Sequence, residues 1–381
     1  MCRENKIVAL VLAAGYSSRM GEFKPLMKLN GHSVIENAVG CFQNAGISDV
    51  RVVVGYRASE IIPLLDIPGV NYIINENYND GMFTSVIAGL RNISGQASGF
   101  FLLPGDMPMV KSGTVKMILA EYMKSGSGII YPCFLGRRGH PPFISNRYFE
   151  KILSSDLSDN LHSVLSRYDN DSIDLELIDQ AILMDMDSPE DYHQAVSYLN
   201  HQNTLTDDEC SAVFSIYKTP VHIIKHGEAV SEISRLMAEL LNGSGRISLD
   251  VDLLKAGALL HDIARDKPDH AKAGAAILDQ LGYPDIAKII SGHMDIDINR
   301  NNPVIDETAV VYLADKMVKE DILISLNEKF SEYYKKFYSD PEIIINIRKR
   351  ENNALLIKEE IEKISGISDL DSFLNKAECR L

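Results

Sequence analysis

Residues 7–26, IVALVLAAGYSSRMGEFKPL, constrain the fold of this chain more than any other stretch. Residues 7–12 are aliphatic throughout apart from Ala9, which reads as a buried strand. A loop of small residues follows at once: Ala13, Ala14, Gly15, Ser17, Ser18 and Gly21, with Arg19 and Lys24 set into it. Small residues let backbone N–H groups approach an anion closely, and the two cations add charge. The physics is that of a phosphate cradle, although an ordinary surface turn with two basic residues would share this composition. The spacing is neither that of the GxxxxGK[ST] loop nor that of GxGxxG.

Downstream, the rhythm of strand and helix continues to about residue 200. Ser33 caps a predicted helix ending near Ala45, with Gly46 as its stop. RVVVG and NYII read as strands, Met82–Ile93 as a helix, GFFLLP as a second buried strand, 111–124 as a helix and GIIYP as extended chain. Such alternation predicts an α/β domain with a mostly parallel sheet covered on both faces. Ligands of such sheets sit outside the carboxyl ends of the strands, where both Gly15 and Asp106 fall. In LPGDMP, Asp106 stands just past a strand, well placed for Mg2+, though a turn aspartate capping the next segment has the same pattern. In ILMDMDSPEDY, Asp185 and Asp187 precede a helix start at Ser188, which simple capping would also explain.

LAAGYSSRMGEFKPL resembles the signature loop of the sugar-nucleotide-type nucleotidyltransferases, most closely the molybdenum cofactor cytidylyltransferase branch. The resemblance covers residues 5–199 and implies a nucleotide-diphospho-sugar transferase-like fold. It implies that Ala13, Ala14, Gly15, Arg19 and Lys24 hold a triphosphate, and that Arg19, Lys24 and Asp106 serve catalysis. Asp106 matches the family's Mg2+ aspartate, and DMDSPED matches an element whose third residue, here Asp187, is the second metal carboxylate. Asp185 is the weaker match. NENYNDGMFTSVIAGL resembles the base-binding segment, placing Gly81 and Ser85 near the nucleobase. GRRGHPPFI resembles a G-H-P loop, so Gly139, His140 and Pro141 would face the acceptor. The implied reaction is nucleotidyl transfer from an NTP, CTP favoured, to a small phosphorylated acceptor of molybdopterin type. Guanylyl or sugar-nucleotide transfer is the alternative within the family, and a nucleotide-sensing regulatory protein is the alternative outside it.

Residues 201–218 break the rhythm and read as a polar linker. Beyond them helical periodicity dominates, as in VHIIKHGEAVSEISRLMAELL, so a second, all-α domain is predicted over 219–320, followed by a charged helical extension, 321–381. Five of the ten histidines lie beyond residue 221, a modest enrichment, so their order carries more weight than their number. Histidine and carboxylate side chains converging from several helices make a divalent metal site. His222 and His226 share a helical face; any one of these histidines, taken alone, reads as a core or surface residue.

The order H…HD…D resembles the HD phosphohydrolase superfamily. His226, His261, Asp262 and Asp315 match its four signature ligands, and His270 and His293 fall where binuclear members carry extra ones. One or two divalent transition-metal ions such as Fe, Mn, Zn or Ni are implied, together with hydrolysis of a phosphoester. Lys225, Arg265 and Lys267 are candidates for its phosphate, though helix-end charges are usually just solvated. The extension 321–381 shows no chemistry of its own and reads as a cover for the bundle or a homodimer interface.

A chain of 381 residues accommodates two such domains. Its net charge of −15 argues against nucleic acid and anionic membranes as partners, and makes local cations or divalent metals necessary for binding a nucleotide. Five cysteines, Cys2, Cys41, Cys133, Cys210 and Cys379, show no paired spacing, so a reducing cytoplasm is expected. No apolar run approaches the ~20 residues of a membrane span. The opening MCRENK leads directly into the first strand, so no signal peptide is expected.

Overall fold

The computed structural model describes residues 6–17, 19–201, 203–299 and 303–378; Cys2, Ser18 and Cys379 lie outside the described residues. The chain divides into two compact units, residues 1–200 and 201–381.

In the first unit, β1 (Ile7–Ala13) leads through α1 (Val34–Asn44) to β2 (Val50–Val54) and on to β3 (Val70–Ile74). Helix α2 (Met82–Ile93) then returns the chain to β4 (Gly99–Pro104), followed by α3 (Ser112–Ser125), β5 (Ile129–Phe134), β6 (Phe143–Ser145), β7 (Ser172–Glu176) and α4 (Pro189–Asn200). The sheet order is β7-β5-β6-β4-β1-β2-β3. Every pairing on this path is parallel except those of β6, which runs antiparallel to both β4 and β5. Successive side chains of β1 feed opposite faces. Ala9, Val11 and Ala13 meet Ile35, Val39 and Phe42 of α1, while Val8, Leu10 and Leu12 meet Val86, Leu90 and Ile93 of α2. Two covered faces explain why the strand reads as a continuous apolar run. Helix α1 begins with a capping box in which Ser33 Oγ accepts from Glu36 N and Glu36 Oε2 accepts from Ser33 N at 2.6 Å.

Strand order reverses at β1. The chain leaves β1 toward β2 on one side and comes back to β4 on the other, and a crevice lies beyond the carboxyl ends of these two neighbouring strands. Gly105 closes the seam at its base: its N–H donates to Leu12 O at 2.8 Å, and a Cβ on it would lie 2.9 Å from that same oxygen.

The second unit is helical: α5 (Asp207–Ile216), α6 (Val221–Gly243), α7 (Val251–Leu260), α8 (His270–Gln280), α9 (Pro284–Gly292), α10 (Glu307–Met317), α11 (Leu326–Lys336), α12 (Pro341–Ser365) and α13 (Leu370–Glu378). A two-residue hairpin, Val318–Lys319 with Ile322–Leu323, is the exception to the all-α expectation among the described residues. The expected linker also needs correcting, since most of it is α5, capped by Thr206 and burying Cys210, Val213 and Phe214. Those three positions carry helical spacing. The acidic residues Asp207, Asp208 and Glu209 mask the pattern, and they occupy the helix N-terminus, where the backbone dipole favours negative charge.

Two glycines let the helices approach closely enough for their ends to meet. A Cβ at Gly227 of α6 would lie 2.4 Å from Leu259 O of α7, and one at Gly257 of α7 would lie 2.7 Å from the Ile289 side chain of α9. His226, His261 and His293 follow directly from these contacts, with ring centroids 5.2 and 4.9 Å apart along the series. Gly227→Ala should therefore destabilise the helical unit by about 1–3 kcal/mol through overpacking. Hydrogen-exchange mass spectrometry reads the two units separately; faster exchange in α6 and α7 with unchanged exchange in the sheet is the expected outcome.

Candidate active sites

The crevice of the first unit encloses about 360 Å3 and is lined by Ala13, Ala14, Gly15, Lys24, Gly81, Ser85 and Asp106, among others. Residues from three separate sequence segments thus meet at the carboxyl ends of β1 and β4. Lys24 organises the polar side. Only 7% exposed, it places its ammonium 3.1 Å from Asp106 Oδ2 and 2.5 Å from Asp187 Oδ1. Burial alone would lower the Lys24 pKa, but the Asp187 hydrogen bond and the Asp106 charge outweigh it and leave the pKa raised. Asp187 is held below the usual carboxylate range, chiefly by the Lys24 hydrogen bond. Asp185 is displaced upward by burial and by the charges of Asp187 and Asp106. Main chain locks the two acidic segments together, with Met186 N donating to Asp106 O at 3.0 Å.

Arg19 is exposed and reaches Asp187 Oδ2 at 2.8 Å without lining the crevice. Gly139, His140 and Pro141 do not line it either. The N–H groups of Gly139 and His140 donate to Pro132 O at 2.8 Å and Ile182 O at 2.9 Å, and the His140 ring faces Leu102 O at 3.4 Å. Burial lowers the His140 pKa against the opposing charges of Asp106 and Asp185. Asp106 and Asp187 fit a Mg2+ site in donor chemistry: two hard carboxylates already converge on one cation, and the ion's other ligands would be water and phosphate oxygens.

Asn75 escaped sequence reasoning. Buried at the end of β3, it donates to Thr84 Oγ1 at 2.9 Å and Ser85 Oγ at 3.0 Å, setting the start of α2 against the crevice. An asparagine directly after a strand was the available signal. Tyr16 hydrogen-bonds to Asn79, and its ring lies 4.9 Å from that of Tyr56 and 5.6 Å from that of Tyr78. Loop aromatics have no periodicity, so nothing in the sequence joins them.

In the second unit, His226 comes from α6, His261 and Asp262 follow α7, His270 opens α8, His293 follows α9, and Asp315 lies in α10. The structure brings all six together. His226 Nε2 is 3.2 Å from Asp315 Oδ1, and His261 Nε2 is 3.7 Å from the same oxygen. Asp262 Oδ1 lies 3.3 Å from His270 Nε2 and 3.6 Å from His293 Nε2. Two sets of ligand atoms, His226/His261/Asp315 and His261/Asp262/His293, each fall within 4.8 Å of one another, with His261 shared.

The far nitrogens explain the orientation. Nδ1 of His226, His261 and His293 meets the carbonyls of Glu320, Ala258 and Ile290 at 2.6, 2.7 and 2.6 Å. A proton on Nδ1 leaves the Nε2 lone pair free for a cation. His261 Nε2 is fully buried and has no hydrogen-bond partner among the described residues, which is what a waiting metal ligand looks like and what a core histidine would avoid. Burial lowers the His261 pKa to about 4, so the ring stays neutral. Asp262 is held far below the usual range: burial opposes ionisation, but hydrogen bonds from His270 and His293 prevail. Asp315 is likewise depressed, burial being outweighed by the charge of Lys316 and the His226 hydrogen bond. These residues fit a site for divalent transition metals.

Lys316 was not anticipated. Buried, it holds Asp315 Oδ2 at 2.6 Å and His293 O at 2.9 Å, leaving Oδ1 to the histidines. The cavity above the cluster encloses about 950 Å3 and takes in His222, Lys225 and Arg265, together with Tyr333, Phe337 and Arg350. The C-terminal extension, read as a cover for the bundle or a dimer interface, does cover it: its helices line this cavity. Lys267 instead pairs with Asp266 at 3.1 Å on the surface.

Two outcomes follow. Chelator-treated protein should gain thermal stability on adding Mn2+, by about 2.7 kcal/mol at a hundredfold excess over Kd, and His261→Ala should abolish most of that gain in a thermal-shift assay. Because Asp187 is depressed in the folded state, its contribution to stability is present above the ordinary carboxylate pKa and is lost as pH falls through the folded value. Lys24→Ala should raise the Asp187 pKa and flatten this acid dependence, as measured by carboxylate NMR titration alongside denaturation at several pH values.

Residues 9–172 match the family model described as the MobA-like NTP transferase domain, and residues 223–319 match the HD domain. The chain is 28% identical over 189 residues to the molybdenum cofactor cytidylyltransferase of Escherichia coli (strain K12), covering 49% of this chain and 93% of that protein. It is also 28% identical over 110 residues to the bifunctional protein GlmU of Aquifex aeolicus (strain VF5), covering 28% of this chain and 24% of that one. Among solved structures, a nucleotidyl transferase from Methanothermobacter superposes on 51% of this chain and 98% of its own, with 24% identity and a TM-score of 0.45. The chain thus joins a segment that matches the MobA-like NTP transferase domain to a downstream segment that matches the HD domain.

Proposed function

We propose that the first domain, residues 1–200, is a Mg2+-dependent cytidylyltransferase acting on a phosphorylated acceptor of molybdopterin type. The helical domain, residues 219–320 with its extension, would be a metal-dependent phosphoester hydrolase. The observation that carries the first half is the convergence of Asp106 and Asp187 on one buried cation beside the Gly15 loop. Backbone N–H groups around Gly15, with Lys24, would hold the triphosphate, and Gly81 and Ser85 the base. Arg19 would swing from Asp187 to the phosphates, and Gly139, His140 and Pro141 would border the acceptor. An acceptor phosphate oxygen attacks the α-phosphorus, the bridge to the β-phosphate breaks, and diphosphate leaves. Positioning and charge neutralisation supply most of the acceleration.

In the helical domain the orphaned Nε2 of His261 carries the reading. His226, His261, Asp262, His270, His293 and Asp315 would hold one or two ions, while Lys225 and Arg265 receive the phosphate. Such ions, when bound, neutralise phosphate charge in the first site and activate water in the second. A cytoplasmic location and a homodimer accompany this reading; no helix among the described residues is long and apolar enough to cross a membrane. Guanylyl or sugar-nucleotide transfer is the alternative reading of the first domain.

The test is a panel of four NTPs against molybdopterin and several sugar phosphates, with diphosphate release as the readout. CTP with molybdopterin should turn over fastest. Asp106→Ala should lower that rate by about 100-fold or more, while Asp262→Ala should leave it intact and abolish phosphoester hydrolysis. Full transferase activity in Asp106→Ala would overturn the site assignment, and nucleotide binding without product would favour a sensor.

A further inference from the structure

The cavity over the histidine–aspartate cluster holds about 950 Å3, several times what a phosphate group occupies and within the range of small-molecule sites. Its two sides differ in chemistry. One carries the metal-ligand cluster with Lys225 and Arg265. The other comes from residues beyond the HD-matching segment 223–319, and there aromatic and aliphatic side chains enter the lining among Lys329, Lys336 and Arg350. Tyr333 on α11 and Phe337 just past its end stand four residues apart, on one helical face. Ile343 and Ile347 of α12 continue the apolar wall.

Resting on the hydrolase reading above, we propose that this wall is the recognition half of the site and takes the flat aromatic portion of a phosphoester. Tyr333 and Phe337 would contact the ring, and the phosphate would lie toward Arg265 and the metal ligands. Tyr333 adds a polar handle. Among the described residues its hydroxyl has no hydrogen bond, although the side chain is partly buried and lines the cavity. The hydroxyl oxygen is not sealed off among the buried unpaired atoms; it opens on the cavity, where a ligand oxygen can reach it. Burial pushes its pKa up to about 12, with the Asp315 charge adding to the effect and Arg265 opposing it, so the hydroxyl remains a donor. Phe337 has Lys336 Nζ 5.3 Å from its ring centre, a cation at the rim of the same surface.

Both aromatics also support the bundle core, so the test must separate recognition from folding. Full-length Mn2+-loaded protein is titrated calorimetrically with phenylphosphonate and methylphosphonate, neither of which can be hydrolysed as an ester. Wild type should bind the phenyl compound about tenfold more tightly, the scale of an aromatic contact. Phe337→Leu should erode that preference while leaving methylphosphonate affinity unchanged, even where the melting temperature falls. Tyr333→Phe should weaken both probes alike, through the lost hydroxyl, and keep the preference. Equal wild-type affinities, no binding of either probe, or an unaltered preference in Phe337→Leu would overturn the proposal. A clear phenyl preference in protein that hydrolyses no phosphoester would sustain the wall and sink the hydrolase reading instead.

Discussion

Carboxylates crowded into a low-dielectric space repel one another unless a cation stands between them, and both sites of this chain are built on that constraint. In the sheet domain Lys24 lies between Asp106 and Asp187. In the helical domain Lys316 grips one oxygen of Asp315, while histidines surround the other and the Asp262 carboxylate. A chain of net charge −15 cannot rely on its overall field to draw in phosphates. It concentrates acid where a divalent ion would reverse the local sign, and supports that acid with internal cations.

The two folds meet the constraint by different means. The sheet gathers its residues by topology: reversal of strand order at β1 opens one crevice, and every segment that ends at the carboxyl edge beside it can contribute a side chain. The helical unit gathers its residues by close approach. Gly227 and Gly257 remove the side chains that would hold α6, α7 and α9 apart, and three histidines at or near those contacts are brought face to face. Backbone carbonyls at the helix ends then fix the rings through Nδ1.

The boundary of a family match is not the boundary of a site. The HD-matching segment ends at residue 319, yet the cavity over its cluster is completed by side chains from 326–350. The ligand cluster and the opposite wall therefore come from different parts of the chain, and a match to the cluster alone says nothing of the wall.

Much of this was legible in the primary sequence because it is local or ordered. The Gly15 loop follows its strand without a gap, and Asp106 stands two residues past the end of β4. The histidines and aspartates of the second domain follow one another in a fixed order. The same reading missed α5, whose acidic first turn hid three buried positions, and it missed Asn75 and Lys316, which belong to no short pattern. What the sequence by itself determined is which side chains can ligate and which segments are strand or helix, because periodicity and residue chemistry are properties of neighbours along the chain. Only the tertiary structure decided that Lys24 and Asp187, 163 residues apart, share one proton-bearing contact, and that His261 keeps a lone pair with nothing to bond, because burial and orientation are set by groups that meet through space.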